Sequence, residues 1–178
     1  KIFLMLHREI IRYDGTEDNY VEKLKYALLS KKERARFPDD VEFKAAFEER
    51  PVYLMNSKNK IYILERFENF GTSEDKDVYR HCDDGTYSIE HIMPQHLTPV
   101  WQKELGDDYE QIHELWLHRM ANLTLTAYNS KYSNSSFTEK KTMQSGFDDS
   151  GIRMNTWIAK KDKWTLAELE ERSEYLMG

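Results

Sequence analysis

The chain has 178 residues, 33% of them Asp, Glu, Lys or Arg, and a formal net charge of −6. That length suits one large domain or a domain with a helical annex, since domains run to roughly 100–200 residues. The acidic balance argues against a protein that coats nucleic acid through a basic surface. The single cysteine, Cys82, excludes an internal disulfide and a CxxC zinc knuckle, and it fits a reducing compartment such as the cytoplasm. No apolar run approaches the ~18–20 residues of a membrane span, and no signal peptide is visible.

In chain order, the first half is expected to be helical. Lys1 to Arg8 resembles the middle of an apolar helix without an initiator Met, so the chain is expected to be part of a longer protein. Val21, Leu24, Lys25, Leu28 and Leu29 lie at helical spacing. Asp39 or Asp40 caps a helix carrying Val41, Phe43, Ala46 and Phe47. Ile61, Leu64, Phe67 and Phe70 mark another helix, with Gly71 as its stop. Residues 72–86 are polar and predict a loop between a helical annex, residues 1–80, and a second domain, residues 81–178.

The second half changes pattern. Thr86 to Ile92 alternates as a strand and stops at Pro94. Thr98-Pro99 opens a short helix through Leu105, and Asp107 or Asp108 opens another through Met120. Asn122-Leu123-Thr124-Leu125-Thr126 is a second strand, followed by a polar turn over residues 128–135. Ser136 with Glu139, and Thr165 with Glu168, are spaced as capping boxes. The expected fold is α+β and mostly helical: a β-hairpin and helix of the ββα-metal type, interrupted by a helical insertion and embedded in a helical domain.

Metal-assisted phosphodiester cleavage needs a base near neutral pH and a divalent cation on the phosphate. Histidine suits the first role. A hard cation such as Mg2+ needs few protein oxygens for the second. Glu90-His91 at the end of a strand supplies a base in His91 and, in Glu90, a metal ligand or an orienting group. Asn122 opens the second strand and can tie it to the loop bearing His91. Asn129 and Asn134 flank the polar turn, and either amide oxygen can serve a metal; capping is the alternative for Asn134. His118, four residues before Asn122, either touches phosphate or packs beside Trp116. Lys131, Lys140 and Lys141 are candidates for contact with the DNA backbone. The runs Lys31–Arg36 and Lys160–Lys163 are further cation clusters, each equally readable as a solvated helix face.

Taken together, Ile89-Glu90-His91-Ile92-Met93-Pro94-Gln95, then His118 to Thr126, then Asn129-Ser130 and Ser133 to Phe137 with Lys140, resemble the nuclease signature of GmrSD-type restriction endonucleases, a branch of the HNH (His-Me finger) superfamily. The match is densest over about residues 86–145. The resemblance implies a metal-dependent DNA endonuclease using Mg2+ or Mn2+ without structural zinc, the effector of a modification-dependent, type IV-like defence against phage DNA. It implies His91 as general base, Asn122 as the middle Asn of the motif and Asn129 as the metal ligand. It also implies an N-terminal nucleotide-binding module in the full-length protein. A homodimer would give a double-strand break the two active sites it needs. Ala121 stands where the family often has Gly, and Glu90 where many HNH enzymes have Asp. The contrasting expectation is a non-catalytic helical module that binds DNA or protein through a degenerate motif.

Overall fold

The computed structural model describes residues 2–16, 18–31, 37–127 and 132–178. Asn129, Lys131 and most of the Lys31–Arg36 run therefore lie outside the described residues. The chain forms two compact units, Lys1–Phe47 and Glu48–Gly178.

In the first unit, α1 (Ile2–Ile11) meets α2 (Tyr20–Leu29). Asn19 caps α2 by accepting from Glu22 N at 3.0 Å. Leu6 and Ala27 are buried, Tyr13 meets Tyr26 edge-on, and Lys31 pairs with Glu9. The expected cap at Asp39 accepts from Glu42 N at 2.8 Å and opens α3 (Asp40–Glu49), none of whose residues is buried.

The second unit is mostly helical, with a two-stranded antiparallel sheet, an α+β arrangement. A 3-10 turn (Val52–Leu54) leads into α4 (Ser57–Glu68). Residues 72–86 do not form one loop: Asp77 accepts from Arg80 N at 2.9 Å and starts α5 (Val78–Asp83). β1 (Ser88–His91) pairs with β2 (Leu123–Thr126), placing Glu90 opposite Thr124 and His91 opposite Leu123. Between the strands come α6 (Pro99–Leu105), capped by Thr98, and α7 (Tyr109–Trp116). After β2 follow α8 (Phe137–Thr142), α9 (Arg153–Ala159) and α10 (Leu166–Met177). Both expected capping boxes form, at Ser136 with Glu139 and at Thr165 with Glu168.

The core gathers Ile92, Met93, Trp101, Phe137, Phe147 and Trp164. It therefore covers the stretch just after β1 with side chains from α6, α8 and the approach to α10. β2 is pinned from its other side by Asn155 of α9, which accepts from Thr124 Oγ1 at 2.5 Å and donates to Leu125 O at 3.2 Å.

The unit boundary falls at residue 47/48, where the sequence suggested a division near residue 80. Glu68 explains why α4 belongs with the second half. Its buried carboxylate accepts from the backbone N–H groups of Arg153 at 2.9 Å and Met154 at 3.0 Å, capping α9 across the fold, and it also pairs with Lys76.

Candidate active site

The site lies where β1 ends. Ile92 N donates to Asn122 O at 2.9 Å, which extends the strand pairing by one bond. The Asn122 side chain then takes over. Its Oδ1 accepts from Met93 N at 2.8 Å, and its Nδ2 donates to Met93 O at 2.9 Å and to Leu117 O at 3.1 Å. Trp164 Nε1 adds a donor to Oδ1 at 3.3 Å. Asn122 is fully buried, and its amide clamps the turn that follows His91. Ala121 beside it is buried, and its carbonyl accepts from Arg172 Nη1 at 2.8 Å.

His91 and His118 come together. His91 Nε2 lies 3.2 Å from His118 Nδ1, and the two rings meet edge-on. Tyr53 packs against both. Its ring centroid is 4.3 Å from that of His91 at 65°, and 5.4 Å from that of His118 at 10°, a stacked contact. Tyr53 N also donates to His118 O at 3.1 Å. His91 is 5% exposed, whereas His118 is only half-buried, so His118 is the more solvent-facing member of the pair. Burial first, and then the neighbouring His118, Lys140, His113 and Lys60, push the His91 pKa down to about 3. Burial and His113 lower that of His118. Both imidazoles are therefore held toward the neutral form and are weaker bases than an exposed histidine.

Glu90 points away from His91, as alternation along a strand requires. Its Oε1 accepts from Lys140 Nζ at 2.5 Å, and the same ammonium donates to His91 O at 2.8 Å and Ile92 O at 3.1 Å. Burial pushes the Glu90 carboxyl up, and the Lys140 charge pulls it back. This corrects the expectation for Lys140: its side chain is wholly buried, and its ammonium holds the end of β1 instead of DNA. Glu90 likewise spends its charge inside the protein. Lys141 donates to Lys161 O at 2.7 Å and lies 3.5 Å from Asp162. Asn134 is exposed on the turn before α8. Among the described residues no group of three or more His, Cys, Asp or Glu side chains could hold a metal ion. Glu90, one of the expected metal ligands, is instead paired to Lys140, and Asn129 lies outside the described residues.

Residues 37–178 match the family described as GmrSD restriction endonucleases, C-terminal domain. The chain belongs to this family. It is thus a domain of the nuclease-type restriction effector class. No curated protein matches the chain. No helix of the described residues is long and apolar enough to cross a membrane.

For this GmrSD-family domain, three residues around the histidine pair escaped sequence reasoning. Tyr53 follows Pro51 in a 3-10 turn and carries no motif. Lys60 donates to Tyr53 O at 3.1 Å, with its ammonium 4.5 Å from the Tyr53 ring centre. His113 Nε2 donates to Pro94 O at 3.0 Å, bracing the turn beyond His91. Its position five residues before His118 on an amphipathic helix was the one sequence signal that could have drawn it in.

Proposed function

We propose that the chain is a DNA endonuclease domain that hydrolyses phosphodiester bonds, with His91 accepting the proton of the attacking water. The observation that carries this reading is the His91–His118 pair, held neutral at the end of a strand whose following turn is clamped by Asn122.

The pair suggests a division of labour. An imidazole–imidazole hydrogen bond needs one donor and one acceptor. If His91 donates from Nε2 to His118 Nδ1, His91 keeps Nδ1 as the free base and His118 carries its proton on Nε2. His118 then fixes the tautomer and orientation of the base, the part a histidine's partner usually plays. A neutral His91 has lost basicity through burial. The negative charge of an arriving phosphate favours the imidazolium and restores part of it. Cleavage is proposed to depend on Mg2+ or Mn2+, as the resemblance to HNH nucleases implies, with Asn129 or Asn134 as the candidate ligand. In the full-length protein this domain would serve as effector to an N-terminal nucleotide-binding module, in a type IV-like restriction system.

The test is plasmid cleavage with Mg2+, Mn2+ or EDTA, using the wild type and His91→Ala. Cleavage that EDTA stops, and that His91→Ala loses while keeping its fold, supports the reading. Cleavage by His91→Ala at the wild-type rate removes His91 from the mechanism. DNA binding without cleavage under any metal condition would leave the chain as a non-catalytic binding module.

A further inference from the structure

We propose that Lys60 is a phosphate-gripping residue of this site, holding the DNA backbone beside the His91–His118 pair with Tyr53 as the platform that fixes both. The inference rests on the reading of the domain as a DNA nuclease.

The argument begins with charge. A chain of net charge −6 that acts on a polyanion needs local cations at the point of reaction. Two of the lysines singled out by sequence after β2 are already engaged inside the protein. Lys140 is buried against Glu90, and Lys141 is turned to Lys161 O and Asp162. Lys60 differs from both: no carboxylate pairs with it among the described residues, and it is only half-buried. An ammonium has three donors. Lys60 gives one contact to Tyr53 O at 3.1 Å, which leaves donors for an anion.

The second observation is placement. The Lys60 ammonium sits 4.5 Å from the centre of the Tyr53 ring, and that ring touches both imidazoles. The Tyr53 N–H bond to His118 O ties the backbone of the 3-10 turn to the same histidine. One aromatic ring thus carries the cation and registers the histidine pair. Lys60 is also among the charges that His91 senses, so the two lie within electrostatic reach. Lys60, seven residues after Tyr53, and His118, from a distant part of the chain, meet at the Tyr53 ring. For structure alone, a surface lysine over a tyrosine would not need the histidines there as well.

The test is equilibrium binding of a fluorescein-labelled duplex, followed by anisotropy from 50 to 300 mM KCl in EDTA so that no cleavage intervenes. The proteins are the wild type, Lys60→Gln and Lys60→Arg, each checked by thermal melting. A phosphate contact releases counterions, so its loss reduces the slope of log K against log [KCl] by about 0.9. Lys60→Gln is expected to show that reduction and a weaker affinity at low salt, and Lys60→Arg to restore both. A full wild-type slope in Lys60→Gln overturns the inference, whether or not affinity changes, because a purely structural lysine alters affinity without altering counterion release. Binding by the wild type with an unchanged Lys60→Gln slope sinks the Lys60 assignment and leaves the nuclease reading standing. Failure of the wild type to bind duplex at the lowest salt overturns both.

Discussion

Lys140 and Glu90, fifty positions apart, form a buried ion pair of 2.5 Å directly beneath the strand end that carries His91. The same ammonium donates to the carbonyls of His91 and Ile92, so its three donors are spent on the backbone and side chain of one strand. The pair joins α8 to β1 and holds the proposed base from behind.

Removing one partner of such a pair should be costly. Lys140→Met strands the Glu90 carboxylate and two carbonyls in the interior and is expected to destabilise by about 3–5 kcal/mol. Adding Glu90→Leu should recover part of that loss, because no buried charge then remains. Urea unfolding of the two single variants and the double variant gives the coupling; a wild-type midpoint for Lys140→Met would show that the pair contributes nothing.

Asn122→Ala deletes the acceptor for Met93 N and the donors to Met93 O and Leu117 O. Buried groups left without partners cost ~1–3 kcal/mol each, partly relieved by relaxation, so a loss of about 3 kcal/mol is expected. Cleavage should fall more than DNA binding, since the released turn is the one that follows His91. Thermal melts and a kcat-against-KM comparison check both halves.

The low pKa of His91 makes the fold acid-sensitive in a defined window. The unfolded chain protonates this histidine near its usual 6.5, whereas the folded protein resists until about 3. Between those values the unfolded state binds more protons, so stability rises with pH across the window and is lost on acidification. The slope from this one group is at most about 1.4 kcal/mol per pH unit. His118, lowered in the same direction, adds to it. The urea midpoint of the wild type should therefore drop more steeply from pH 6.5 to pH 4 than that of His91→Asn; parallel curves would contradict the burial argument.

Glu68→Ala should uncap α9 from a distance. The N–H groups of Arg153 and Met154 lose their carboxylate acceptor, and a cost of about 2 kcal/mol follows. Hydrogen exchange of the amides near residue 153 should accelerate well beyond that of β2. Uniform exchange across both regions would assign Glu68 a global role instead of a capping one.

Much of this molecule was legible from short-range chemistry. The caps at Asp39, Thr98, Ser136 and Thr165, the two strands and the α+β class follow from side chains acting within four residues of themselves, where sequence spacing and spatial neighbourhood coincide. The motif blocks also marked the family. The partners of those blocks were hidden for the opposite reason. Lys140 has the appearance of a solvated cation on a short helix until packing buries it against Glu90. The 3-10 turn bearing Tyr53 carries no pattern that connects it to His118, 65 positions away in a chain numbered to 178. Burial and a histidine's basicity depend on everything packed around a group. Those properties came from the folding of distant segments onto the end of one short strand.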